Sequence, residues 1–352
     1  MKKTTLDKHC IIVTAGCSFT APHAGNATWG TWMKDQLDQN KKLTIVDGDI
    51  LYEYPITSVL DHSRISVGNY FIIEDTLSYI NAFMKSQFDY TALDPPLPTG
   101  QEYYVLIQLS SLNRVDAYET SSGRWHHAPK ASRMYDEVKD VWKPLAEIGE
   151  KTLKYFQNLG ISHEVEQEKK RGAKAKFINE IPMYDYWIKY YEYFYTEERH
   201  FGDLLKNIIT AQHMFQKHNI KYRFFSGWDI FTNPETILEH AGHVVMTKDT
   251  MWSETEKYTN IHLELLIEKY PHLRVYWDAI EWDNFWFFEN DFVHVGGMNE
   301  WIKYNLSPKD WYHDKNDPHP SEAAQKKFLQ EVILKLLSEM FQEKIIDENT
   351  RR

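Results

Sequence analysis

Ser18 follows the apolar run Cys10-Ile11-Ile12-Val13, inside the stretch TAGCSFT at residues 14–20. A hydroxyl at the exit of a buried strand is either a turn residue or a nucleophile, and as a nucleophile it is weak until a base takes its proton. That base is usually an imidazole, which a carboxylate orients. A histidine in a fitting setting stands at the other end of the chain. His319 lies between Pro318 and Pro320, after Asp314 and Asp317, and just before a helical pattern that starts at Ser321. Prolines on both sides stiffen the backbone and predict a loop that holds the ring. Taken singly, Ser18 reads as a turn residue and His319 as a surface-loop histidine. As a pair they offer a hydroxyl and a base to take its proton.

Such a pair needs elements to position it. Apolar runs predict strands at Cys10–Thr14, Leu43–Val46, Tyr103–Leu109 (YYVLIQL) and Tyr222–Phe225. Helical spacing begins after Thr28, read as an N-cap, with Trp29, Trp32, Met33 and Leu37 on one face. It recurs after Gly68-Asn69 (Ile72, Ile73, Thr76, Leu77, Ile80, Phe83) and over about 198–218 (Leu204, Leu205, Ile208, Ile209, Phe215). A last helix runs from Ser321, again an N-cap, to about Ile345. Strands alternating with helices predict an α/β sheet covered on both faces, with the carboxyl ends of its strands forming the crevice.

The chain reads as one domain over 1–352, with an aromatic-rich helical insertion at about 120–200 and an irregular segment at about 240–310. The insertion holds a charge run, HEVEQEKKRGAKAK, and an aromatic block, MYDYWIKYYEYFY at 183–195. That block reads as amphipathic core, with stacking on sugar rings as the minority reading.

Composition removes several classes. With 42% hydrophobic residues and 12 Trp, 22 Tyr and 18 Phe, the chain has material for a sizeable core and is not of the disordered class. A net charge of −11 repels a nucleic-acid backbone. Cys10 and Cys17, separated by near-extended chain, are expected to be free thiols. His126-His127 has no ligand cluster around it and reads as a solvated loop, so neither metal nor cofactor is expected. No apolar stretch approaches the ~20 residues of a membrane helix, and no signal-peptide core follows Met1. The expected product is soluble and cytoplasmic, or carried on a particle.

Four short blocks, in order, resemble the SGNH (GDSL-type) hydrolase family: Gly-Cys-Ser-Phe at 16–19, ISVGNYFI at 65–72, YYVLIQLSSLNR at 103–114 and DKNDPHPSEAA at 314–324. The resemblance implies a three-layer, flavodoxin-like α/β/α sandwich with a mostly parallel sheet. It implies a serine esterase in which Ser18 attacks an ester carbonyl, His319 takes the proton and Asp317 orients the imidazole. Asp314 is the reserve acid, and a dyad without an acid is the other option. Gly68 and Asn113 would donate to the oxyanion. The substrate would be a small-molecule or carbohydrate ester, O-acetyl groups included, and activity would rise with pH through the ordinary imidazole range of about 6.5. Cys17 stands where the family often has aspartate, Ser111 replaces a glycine, Arg114 replaces an aspartate, and the acid is one residue nearer the histidine than usual. Those departures motivate a second class, a non-catalytic binding or structural protein on the same fold, such as a virion component. The long insertion and QLSSLNR also resemble SGNH-like proteins of bacterial viruses.

Overall fold

Strands that are apolar on both faces must be covered on both faces. In β2 (Cys10–Ala15, CIIVTA) every residue is buried, and in the later strand EYYVLIQL all but the first. The computed structural model describes residues 2–5, 10–17, 19–20, 27–40, 42–47, 50–61, 63, 68–88, 102–112, 114, 116–119, 124–127, 190, 193–233, 264–290, 294–314 and 317–350. In chain order its elements are β1 (Lys2–Thr5), β2, α1 (Trp29–Asn40), β3 (Lys42–Asp47), β4 (Ile50–Asp61), α2 (Asn69–Phe88), β5 (Glu102–Leu109), β6 (Asp116–Glu119), β7 (Arg124–His127), α3 (Glu197–Lys217) and β8 (Lys221–Ser226). There follow α4 (Leu266–Lys269), α5 (Arg274–Trp277), α6 (Met298–Asn305), β9 (Tyr312–Asp314), β10 (Asp317–Pro320), α7 (Glu322–Phe328) and α8 (Leu334–Thr350).

Contacts divide the chain into two compact units: Met1–Leu112 with Phe201–Arg352, and Asn113–His200. The first unit holds a sheet in the order β1-β4-β2-β5-β8, with β3 on β4. The pairs β1/β4, β2/β4, β2/β5 and β5/β8 are parallel; only β3/β4 is antiparallel. Ile12 sits level with Val59 on one side and Tyr104 on the other. Along β8 the pleat sends Tyr222 and Phe224 to one face and Phe225 to the other. Phe215 of α3 packs on the first two, with ring centroids at 5.1 and 6.5 Å. Trp29 of α1 and Phe328 of α7 pack on Phe225, at 5.5 and 5.9 Å. Helices therefore lie on both faces of a mostly parallel sheet.

The helices end and begin for local reasons. α3 stops at Asn219, whose φ of 54° is the left-handed conformation that Asn tolerates. Ile220 N then donates to the Phe215 carbonyl at 2.8 Å, turning the chain directly into β8. At α7, Ser321 Oγ accepts the Ala324 N–H at 3.1 Å, the N-cap read from the sequence. At α1, Thr28 holds the N-cap position, its carbonyl accepting the Trp32 N–H, and its hydroxyl donates to the Thr20 carbonyl.

Other expectations are corrected. β4 was not legible as a strand, because Pro55 interrupts ILYEYPITSVLD. Pro55 is tolerated where the β3 ladder ends, one residue before the β2 ladder starts at Ile56. His319 is not on a loop but on β10, antiparallel to β9. That ladder pairs only Asp317 with Asp314 and Pro320 with Tyr312, with an irregularity between, as expected where two prolines lack N–H donors. His126 and His127 lie on β7, paired with β6, and not on a loop. The last helix is broken by a π-helical turn, Leu329–Ile333. Within the expected irregular segment, residues 264–290 form short turns held by rings. Phe231 lies at their centre, with Trp277, Trp282, Phe285 and Phe287 edge-on to it at 5.5–5.8 Å.

In the second unit, which overlaps the expected insertion, β6 pairs antiparallel with β7. Of the aromatic block, Tyr190 and residues 193–195 are described. Tyr195 stacks on His200 at 4.7 Å, whereas Tyr193 and Phe194 are exposed. The charge run 163–176 lies outside the described residues. Among the described residues no helix is long and apolar enough to cross a membrane.

Candidate functional site

Strand order selects one edge of the sheet. From β2 the chain passes to β4 on one side of it, then returns through α2 to β5 on the other, and on to β8. The connections leaving β2 and β5 thus run in opposite directions. In an open parallel sheet the carboxyl-end crevice between two such strands is where ligands bind. The described residues there are the exit of β2 (Gly16, Cys17, Phe19, Thr20), the exit of β5 (Ser110) and the start of α2 (Gly68, Asn69).

The exit of β2 is tightly held. Thr20 N donates to the Cys17 carbonyl at 2.9 Å, reversing the chain between those residues. Thr20 Oγ1 donates to Gln108 Oε1, and Gln108 Nε2 points to Met298 Sδ at 3.4 Å. Gly16 is required here, because a Cβ would strike the Thr20 side chain and meet Gln108 Cβ at 3.0 Å. Cys10 and Cys17 are both buried free thiols, as the sequence implied.

Three chain segments far apart in sequence meet at Phe19. Its ring centroid lies 5.6 Å from that of His319 and 5.0 Å from that of Trp228, which follows β8. Gln325, buried in α7, donates through Nε2 to the Phe19 carbonyl at 3.2 Å and accepts the Trp29 N–H at 3.1 Å. It thereby satisfies one of the unpaired amides at the start of α1. Lys326, the next residue, lies 3.9 Å above the ring of Trp32.

On the other side of the crevice Asn69 clamps the exit of β5. Ser110 N donates to Asn69 Oδ1 at 2.6 Å, and Asn69 Nδ2 donates back to the Ser110 carbonyl at 2.8 Å. Gly68 is buried, and its carbonyl accepts the Ile72 N–H at 3.1 Å, the first bond of α2. The start of this 20-residue helix, where N–H groups and the helix dipole favour negative charge, is therefore fixed at the carboxyl edge.

Behind Trp228 lie two carboxylates. Asp229 accepts the N–H groups of Phe231 and Thr232, both at 3.0 Å, and the Thr232 hydroxyl. Glu300 Oε2 accepts the N–H groups of Asp229 and Gly297, at 2.9 and 2.8 Å. Burial raises both pKa values, and the Asp229 charge raises that of Glu300 further. Their bonds tie the exit of β8 to the start of α6.

Of the residues expected from the sequence, the structure brings His319 to the exit of β2 and Gly68 to the exit of β5. Ser18 and Asn113 lie outside the described residues. Asp317 and Asp314 are register partners in the β9/β10 ladder, Asp317 being two positions before His319. Asn69, Gln108, Gln325, Asp229 and Glu300 were missed. Asn69 had a signal, an amide side chain at the first turn of a helix beside a strand exit. Gln325 had none, since its partners are backbone groups at the opposite end of the chain. Among the described residues no group of three or more His, Cys, Asp or Glu is placed to hold a metal ion. Comparison with protein-family models, with curated proteins and with solved structures gave no match.

Proposed function

We propose that the chain is a serine esterase of the SGNH type on a three-layer, flavodoxin-like frame. Ser18 is the nucleophile and His319 the base. Asp317 orients the imidazole, with Asp314 in reserve. The Gly68 N–H receives the developing oxyanion, and Asn113 is the further donor that the motif implies. The acyl-enzyme formed on Ser18 is released by a water that His319 deprotonates. The substrate class is an ester, with O-acyl groups on a carbohydrate the first to screen.

The observation that carries this reading is the contact between His319 and Phe19, the neighbour of Ser18, at the switch point of a parallel sheet. That contact brings an imidazole beside the residue next to the proposed nucleophile. The clamp by Asn69 adds support, because it fixes the Gly68 end of α2 beside the same crevice. Losing one oxyanion donor costs about 100- to 1000-fold in rate.

A fluorophosphonate probe tests the reading on the wild type, Ser18→Ala and His319→Ala. Labelling of the Ser18 peptide that disappears in both variants supports it. A folded wild type that stays unlabelled, beside a control esterase that labels, overturns it in favour of a binding protein.

A further inference from the structure

We infer that Gln325 is a positioning residue that holds Phe19, the residue after Ser18, against the element that carries His319, an inference that rests on the reading of Ser18 and His319 as the reacting pair. The geometry is specific. Gln325 is 2% exposed, and both halves of its amide are used on backbone groups of one short region. Its Nε2 reaches the carbonyl of Phe19, the residue after Ser18, and its Oε1 receives the first N–H of α1. Gln325 also lies in the first turn of the helix whose N-cap, Ser321, is two residues after His319. Its own N–H donates to the Ser321 carbonyl at 2.9 Å in the first turn of α7. Ser321 in turn caps α7 and donates backwards, N–H to the Trp311 carbonyl at 3.0 Å and hydroxyl to the Asp310 carbonyl. The helix that follows His319 and the backbone at Phe19 and Trp29 are therefore linked through one side chain.

Covering the core does not require this arrangement. A methionine would fill the same volume but leave the Phe19 carbonyl and the Trp29 N–H without this shared partner. Only a side chain that donates at one end and accepts at the other holds both backbones at once. Reaction between a hydroxyl and an imidazole is steep in distance: a misplacement of about 1 Å costs on the order of 100-fold.

Two variants separate positioning from packing. Gln325→Met keeps the volume and removes both bonds. Gln325→Glu keeps the acceptor for Trp29 N and sets a carboxylate against the Phe19 carbonyl. Two readouts are needed. One is the fluorophosphonate labelling rate. The other is the NMR signal of the His319 ring in histidine-labelled protein, assigned with His319→Gln, because the Phe19 ring shifts it whether or not the protein is an esterase. In both variants the His319 signal is expected to move towards that of exposed histidines, with labelling slowed about 100-fold and near-ultraviolet dichroism retained. A His319 signal unmoved in a folded variant overturns the inference, whatever happens to labelling. A signal that moves in protein whose wild type never labels supports the tie and removes the esterase reading alone. If the Met variant does not fold, the Glu variant carries the same test.

Discussion

Single residues at the exits of β2 and β8 are fixed by what surrounds them. Gly297 has an extended backbone, φ −106° and ψ −159°, that any residue can adopt, so conformational freedom does not explain it. Space does. A Cβ there would lie 2.5 Å from the Ser226 carbonyl and 2.7 Å from Trp228 N. Gly297→Ala is therefore expected to cost roughly 1–3 kcal/mol, as overpacking does. It should also shift the emission of Trp228, which leans on Phe19. Denaturant melts beside fluorescence spectra check both effects, and an unchanged melt would show that the β8 exit yields without cost. At this scale the sequence was partly legible. Ser321 as a cap and Cys10 and Cys17 as free thiols follow from local chemistry. Gln325 and Asn69 do not, because a side-chain amide that binds a distant peptide group leaves no periodic trace.

Elements bring the carboxylates Asp229 and Glu300 together, one after β8 and the other in the first turn of α6. Unfolded, each ionises near its ordinary value of about 4. Folded, burial holds both pKa values higher, and Asp229 adds its charge against Glu300. The folded state then binds protons more tightly than the unfolded one, so these groups favour folding at low pH. That contribution is lost as pH rises from about 4 through the raised values. Glu300→Gln removes one charge and the repulsion on the other. The difference in melting temperature, variant minus wild type, is expected to grow between about pH 4 and pH 7. A difference constant with pH would mean that neither group titrates in that window. Element types were largely legible where strands are mostly apolar, as in β2 and β5, and β8 was legible from its aromatic centre. They were not legible in β4, whose Pro55 reads as a breaker, or in β10, whose pairing with β9 involves two proline-flanked positions. The turns over 264–290 are held by ring packing around Phe231, for which a linear pattern offers no signature.

Across the whole first unit, the C-terminal helix closes the sheet laid down by the N-terminal half. Leu336, Leu337, Met340 and Phe341 of α8 are buried, and Phe341 stacks on Tyr104 of β5 at 3.9 Å. Glu343 of the same helix pairs with Arg223 of β8 and lies 3.9 Å from Lys221. Glu343 is partly exposed, and the buried Arg223 also donates to the Tyr222 carbonyl and Asn284 Oδ1, so loss of Glu343 leaves it partnered. Phe341→Ala is expected to cost about 3–5 kcal/mol, the usual range for a buried aromatic. Glu343→Ala should cost clearly less, and chemical denaturation of the two variants ranks them. A reversed order would place the hold of α8 in charge and not in packing. The α/β class was legible from the alternation of strands and helices. The strand order was not, since it depends on which sides of β2 the successive connections take.

Joining the two ends of the chain at Phe19 also has a consequence for synthesis. Phe19 and the first amide of α1 leave the ribosome long before Gln325 and His319 have been made. Until then the exit of β2 lacks its cover and the Phe19 carbonyl lacks its donor. A nascent chain that stops short of Gln325 already contains β1 to β8 but lacks this cover, so the crevice is completed only after Gln325 has left the ribosome.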